Sequence, residues 1–402
     1  MDDYHVPFPA FSMHHPTTVL NQLLALLPEN SFQTFVGQHE ADKYVKRFSC
    51  WNQLTVMLYA QSTKKDSLRD IELGLRVLDS TWTDLGLKSA ARSTLAYANK
   101  TRPSEIYESL FYELLGKCKE LNPNPRFTFK NPLRAVDSTT IDLCLSLFDW
   151  AKFRTTKGAI KLHTSFDIRS QIPDVIEVSD GKTHDVQALK RMNLSRFPRG
   201  TIFIFDKAYI DYELLWKIVQ AGHHFVTRLK KHANIVRLGA HRNPVGTGIM
   251  KDERIAFVLP KAQEKYPTDL RLVTYIDAET KQIYEFFTDE FRLSALNVAG
   301  IYKARWEIEL FFKWIKQNLK IKTFFGTSEN AVKTQIWIAM IYYLLLQWLS
   351  ACINAGRSIT DLTRMIATVI LHTMPLLDIL CCTPRTLERM KKIRDGPQMS
   401  FF

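Results

Sequence analysis

No Cys-x-x-Cys pair occurs among the six cysteines, Cys50, Cys118, Cys144, Cys352, Cys381 and Cys382, which excludes the common zinc spacings. No secretory signal is legible either, so reduced thiols in a cytosolic protein are expected. Internal repeats and low-complexity tracts are also missing. Long apolar runs are scarce: only Ile336–Ile353 is of membrane-spanning length. Gln347, Ser350 and central Trp and Tyr residues interrupt it, which favours a buried core helix over a membrane-surface protein. Acidic residues are in deficit, 41 against 54 Lys and Arg, for a formal charge of +13. That imbalance points to a polyanionic partner, nucleic acid or an acidic membrane surface. What is present is globular: 402 residues, 46% hydrophobic and 12% aromatic, enough for two or three domains.

The first 125 or so residues read as helix. Asp66-Ser67 can cap a segment carrying Leu68, Ile71, Leu75 and Leu78 at helical spacing. A turn around Thr83–Leu87 precedes a short helix from Ser89 to Lys100, stopped by Pro103, and Ser104 opens another. Arg92, Ser93, Asn99, Lys100 and Arg102 on the short helix are candidates for a DNA groove, against an ordinary bundle with a solvated basic face. After a linker at Asn122–Pro125, strands are expected at Leu133–Val136, Ala159–Ile168, Asp174–Val178, Thr201–Phe205 and His224–Leu229. Helices are expected at His184–Met192 and Tyr212–Ala221, giving an α/β layer with a mixed sheet. Residues 231–289 turn strand-rich, with a hairpin pairing Leu270–Tyr275 and Gln282–Phe287. Thr383–Arg394 reads as a basic surface helix.

The segment Tyr302–Lys316 reads as one helix dense in aromatics yet repeatedly charged. At about 100° per residue, Arg305, Glu309 and Lys316 fall within roughly 60° of Tyr302, while Glu307 lies well round the wheel. Lys313 is also near the stripe, so spacing does not choose between it and Lys316. A salt-bridged solvated edge would explain the pattern. The aromatic surroundings instead favour a carboxylate that holds a hard cation beside groups that hold phosphates. Asp137 and Asp206 each follow a short apolar strand, where α/β sheets place ligand sites. Two Asp and one Glu around Mg²⁺ or Mn²⁺ make the two-ion arrangement used on phosphodiesters.

The order Tyr302, Arg305, Glu309, Lys316 resembles the Y-R-E-K signature of insertion-sequence DDE transposases (the IS-four family). The motifs Arg134–Thr139, Ile204–Tyr209, Lys157–His163, Gly181–Asp185 and Lys320–Ala331 also resemble that family. The resemblance spans about residues 45–350. It implies an RNase H-like catalytic domain at 130–230 and 297–352, interrupted by a β-rich insertion at 231–296. An N-terminal all-helical DNA-binding region at 1–125 and a C-terminal helical tail at 353–402 are implied beside it. Asp137, Asp206 and Glu309 become the catalytic metal triad, with two Mg²⁺ or Mn²⁺ ions, and Tyr302, Arg305 and Lys316 the DNA contacts. The implied activity is cut-and-paste transposition, with hydrolysis at element ends followed by strand transfer of 3′-hydroxyls. The implied partners are double-stranded DNA, both inverted-repeat ends and target, and a second copy of the chain, in the bacterial cytoplasm with no membrane. His163, His184, Asp185 and Arg228 are candidates for supporting roles, against purely structural ones.

Two departures stand out. Ala208 occupies a position that is Gly in many relatives, and residues 231–289 contain no Trp to stack on a displaced base. Tyr266, Tyr275, Tyr284 and Phe286 remain as alternatives. The rival functions are an inactive DNA-binding protein on the same fold and an RNase H-like nuclease that cleaves without joining.

Overall fold

The computed structural model describes residues 17–376 except 78–81, 84, 88–89, 120–126, 145, 155–156, 231, 242–247, 320, 322 and 354–356. Leu78, the linker at Asn122–Pro125, Cys381, Cys382 and the basic segment Thr383–Arg394 lie outside the described residues. The chain divides into two compact units. One is Pro123–Ile315, and the other joins Met1–Asn122 to Lys316–Phe402.

The unit Pro123–Ile315 is built on one ten-stranded mixed sheet. Its strands are β1 (Leu133–Leu143), β2 (Lys152–Arg154), β3 (Lys157–Asp167), β4 (Ile172–Asp180), β5 (Ile202–Ile204), β6 (His224–Arg228), β7 (Ile235–Ala240), β8 (Ile249–Phe257), β9 (Leu270–Ile276) and β10 (Ile283–Thr288). The order is β2-β3-β1-β5-β6-β10-β9-β8-β7, with β4 also on β3. β1, β3 and β4 pair antiparallel, and β5 and β6 run parallel to β1, the RNase H-like arrangement. The expected insertion continues that sheet, because β10 pairs antiparallel with β6 and β9, β8 and β7 follow outward.

Local chemistry accounts for these elements. β5 is Ile-Phe-Ile and wholly buried, as a central parallel strand requires. The β9–β10 turn is held by Asp277 Oδ1, which accepts from the Glu279 and Thr280 backbone amides and sets Ile276 opposite Ile283. Phe203, Phe205, Phe225, Phe257 and Phe287 form the centre of the apolar core behind the sheet. β1 is longer than expected: the strand does not end at Val136 but runs to Leu143, so Asp137 lies inside it rather than at its end. The polar residues Ser138, Thr139 and Thr140 remain in the strand because β3 pairs with them along its whole length.

Arg271 on β9 has no exposed surface, and its guanidinium makes two 2.8 Å bonds to Asp252 on β8. It also donates to the carbonyls of Glu290 (3.1 Å) and Leu293 (2.6 Å), the chain entering the helix Ala295–Ala304. The insertion thereby fixes the start of the Tyr302 helix.

The second unit is helical. Its longest helix, Glu329–Ile353, is long and apolar enough to cross a membrane, yet 78% of its most apolar window is buried. It packs against the helices Cys50–Ser62, Arg92–Thr101, Glu105–Lys119 and Ile359–Val369. It is a core helix, apolar all round because neighbours surround it. Two of the expected DNA-facing residues are internal here. Asn99 accepts from Gln53 Nε2 (2.8 Å), and buried Arg102 donates to Ser49 O (2.9 Å), Gln53 Oε1 (3.0 Å) and Phe48 O. The helix face that carries them is the apolar-packed one, whereas Arg92, Ser93 and Lys100 are exposed.

Asp252→Ala would strand the buried Arg271 charge and is expected to cost roughly 3–5 kcal/mol in chemical denaturation. Asp252→Leu combined with Arg271→Met should recover most of that loss. Wild-type stability for Asp252→Ala would contradict this role.

Candidate active site

Strand register places the acidic residues. Ala135 pairs with Ile204, and Ile204 with Val226. Two residues further along, Asp137, Asp206 and Arg228 therefore occupy one row across β1, the end of β5 and β6, and Arg228 pairs in turn with Phe286 on β10. Glu309 reaches the row from the helix Trp306–Asn318. Arg305 joins them: its Nη1 lies 3.3 Å from Asp137 Oδ2, and its Nη2 donates to Glu309 Oε1 at 2.5 Å. Arg228 donates to Asp206 Oδ2 at 3.0 Å.

The Tyr302–Lys316 stretch is not one helix. It forms Ala295–Ala304 and Trp306–Asn318, with Arg305 as the turn between them. The break leaves Tyr302 on the first helix, with its ring stacked on Phe286 at 4.8 Å. The Arg228 and Arg305 guanidinium carbons lie 5.7 and 5.8 Å from that ring's centroid. Glu307 accepts instead from Gln171 Nε2, consistent with its place off the stripe. Lys313 is exposed. Lys316 lies on the same helix about two turns beyond Glu309 and is the first residue of the helical unit's second segment.

The carboxylates have divergent surroundings. Burial pushes the Asp137 carboxyl up to about 6, with Glu309 and Asp185 adding to the rise and Ser138 N–H and Arg305 opposing it. Burial also raises Asp206, but the Ala208 amide and Arg228 outweigh it and hold this carboxyl below the ordinary range. Asp206 caps the short turn Lys207–Tyr209, and Ala208 takes no left-handed conformation there, so its Cβ is accommodated.

Asp185 opens the helix Asp185–Arg191 and accepts from Ser138 Oγ (2.7 Å) and Lys161 Nζ (3.1 Å). His163 lies 3.6 Å from it, bonded to Ser179 through Nε2. His184 is exposed. Ser138, Lys161 and Tyr209 were not anticipated. Strand alternation could have found the first two, since Ser138 pairs with His163 and Lys161 lies on the same face of β3 as His163.

Beside the row lies a cavity of about 660 Å³ lined by Arg228, Tyr275, Tyr284, Phe286, Tyr302 and Trp306, among others. Of the four stacking candidates, Tyr266 is excluded: it is 2% exposed and packs on Trp216 and Phe257 in the core. Trp306, from outside the insertion, brings an indole to the cavity.

Asp137 and Glu309 are hard oxygen ligands that meet at the Arg305 guanidinium. Buried beside the row, Arg228 Nε has no hydrogen-bond partner. The carboxylates fit a hard divalent cation, and the guanidinium N–H groups fit a phosphate. Among the described residues no three acidic, His or Cys groups converge to metal-binding distance. Arg305 bridges two of the carboxylates and Arg228 holds the third, so gathering all three requires these guanidiniums to yield.

Because Asp137 holds its proton more tightly in the folded state, its contribution to stability falls as pH rises from about 4 to about 6. In chelated buffer, Asp137→Asn is expected to exceed wild type in stability above pH 6 by about 1–3 kcal/mol, and not at pH ~3.5. Thermal unfolding across pH measures this, and a pH-independent difference would contradict it.

The family model described as a transposase DDE domain matches residues 128–345, and a domain of unknown function (DUF4372) matches residues 15–88. The chain is 33% identical to a putative transposase (y4zB) of Sinorhizobium fredii over 64% of this chain and 71% of that one. It is 30% identical to a probable transposase for insertion sequence element IS5377 of Geobacillus stearothermophilus, over 66% and 68% respectively. Among solved structures, piggyBac transposase in a synaptic complex with hairpin DNA is similar at a TM-score of 0.45 and 9% identity, covering 94% of this chain and 83% of that chain. DDE transposase domains generally depend on divalent metal and act on DNA. With more than half its length matched by the domain and relatives named as insertion-sequence transposases, this chain belongs to the DDE transposase family.

Proposed function

We propose that Asp137, Asp206 and Glu309 are the catalytic carboxylates of a cut-and-paste transposase. The observation that carries this is the alignment of Asp137 and Asp206 on one row of the sheet, with Arg305 joining Asp137 to Glu309. The three would hold Mg²⁺ or Mn²⁺, two ions, which when bound supply activation of the attacking hydroxyl and stabilisation of the leaving oxygen. Arg305 and Arg228 then exchange carboxylate for DNA phosphate, keeping the bidentate geometry guanidinium offers. Tyr302 would position the strand from beneath the Arg228 and Arg305 guanidiniums, and Lys316 would add a further phosphate contact. Hydrolysis at the element ends leaves 3′-hydroxyls that attack target DNA at the same site.

The cavity lined by Tyr275, Tyr284, Phe286 and Trp306 suits an unstacked base beside the reacting phosphate, since aromatic faces accept any base. The helical unit is read as a second DNA-binding region, and a homodimer as the assembly that joins two ends in the bacterial cytoplasm.

Incubation of a labelled element-end duplex with Mg²⁺ or Mn²⁺ tests this reading. Wild type should nick and join the end, and Glu309→Gln should do neither while still binding DNA. Cleavage without joining would favour a nuclease, and binding without cleavage by wild type an inactive DNA-binding protein.

A further inference from the structure

The loop His39–Phe48 carries Lys43, Lys46 and Arg47, all exposed. Together with Thr94, Tyr97 and Thr101 of the helix Arg92–Thr101 they line a groove of about 680 Å³. The groove's one acidic residue, Glu40, is neutralised by Lys43 at 2.7 Å. Lys46 and Arg47 have no carboxylate partner among the described residues. Tyr97 is 70% exposed, an unusual position for an aromatic ring on a helix surface.

A buried network holds this groove in shape. Arg102 donates to the carbonyls of Phe48 and Ser49, where the loop ends, and lies 3.8 Å from Asp42 within it. Asp42 in turn accepts the Cys50 amide at 2.8 Å. Asn330 donates to the Asn99 and Arg102 carbonyls (3.0 and 2.6 Å), fixing the other wall. The cations are therefore mounted on a braced ledge rather than on a loose loop, and little ordering is needed on binding.

We propose that this groove is where the helical unit grips the backbone of duplex DNA. Lys46 and Arg47 would pair with phosphates, and the Thr94 and Tyr97 hydroxyls would donate to them. The inference rests on the reading of this unit as DNA-binding. It replaces the face expected from sequence, whose Asn99 and Arg102 are spent inside the unit. It also gives the segment that includes residues 39–48, matched only to a domain of unknown function, a ligand of stated chemistry. Lys, Arg and hydroxyl donors are the groups that contact phosphates of duplex DNA, and phosphate contacts carry no sequence information. The groove should therefore position DNA without reading its sequence.

The test uses the full chain in chelated buffer with two unrelated 30-base-pair duplexes, read by fluorescence anisotropy over a salt series. Lys46→Glu with Arg47→Glu is expected to weaken binding about tenfold or more for both duplexes, and to lower the salt slope by about 0.9 for each phosphate no longer neutralised. Tyr97→Phe should have a smaller effect, and Lys117→Glu, near the far end of the separate helix Glu105–Lys119 and about 18 Å from its start, none. Lysine-acetylation footprinting with the same duplexes separates the ways of failing. If the double variant binds like wild type while DNA protects other lysines of residues 17–119, the groove is wrong and the DNA-binding reading of the unit stands. If it binds like wild type and no lysine of that segment is protected, both fail. A loss confined to one duplex would overturn the phosphate assignment.

Discussion

Three carboxylates drawn towards one place repel one another, and two guanidiniums hold them there. Arg305 spans Asp137 and Glu309, and Arg228 holds Asp206. The sheet supplies the row, the helix break at Arg305 lets one side chain reach both a strand and the next helical turn, and the long insertion between β6 and the Tyr302 helix supports both. β10 of that insertion sets Phe286 under Tyr302, and Arg271 of β9 fixes the chain just before the same helix. The insertion is thus part of the mounting of the proposed catalytic residues as well as a wall of the neighbouring cavity.

The arrangement also explains why the carboxylates differ. Asp137 is inside a strand, partly buried and near two other acids, whereas Asp206 sits past a strand end with an amide and a guanidinium on its oxygens. Pushing apart the proton affinities of paired acids is characteristic of sites that handle charge during a reaction. The guanidiniums of Arg228 and Arg305 beside them are the complement expected of a site shaped for phosphate.

Much of this was legible in the sequence, for physical reasons. The apolar run Thr201–Phe205 announced a central strand, and the register of two-residue alternation carried Asp206 to its end. The Asp277 turn and the strands on either side were readable as a hairpin. The core helix Glu329–Ile353 was recognisable by its long apolar run, interrupted by Gln347 and Ser350. What sequence could not reveal was tertiary pairing. β1 continues through polar Ser138–Thr140 because β3 holds it, and Arg305 interrupts a helix that periodicity drew as continuous. Arg102 and Asn99 looked like exposed polar groups, yet they satisfy loop carbonyls and a glutamine inside the helical unit. A helical wheel assigns faces but not which face meets the core when both carry polar residues.

The two carboxylates that Arg305 bridges, Asp137 and Glu309, are proposed to form a divalent-cation site. Titration of the chain with Mn²⁺, followed by the loss of its free-ion paramagnetic signal, tests it without reference to DNA or turnover. Binding by wild type that Asp137→Asn and Glu309→Gln each abolish, with Lys117→Glu unaffected, is the predicted result. Mn²⁺ binding left unchanged by both carboxylate substitutions would contradict the account.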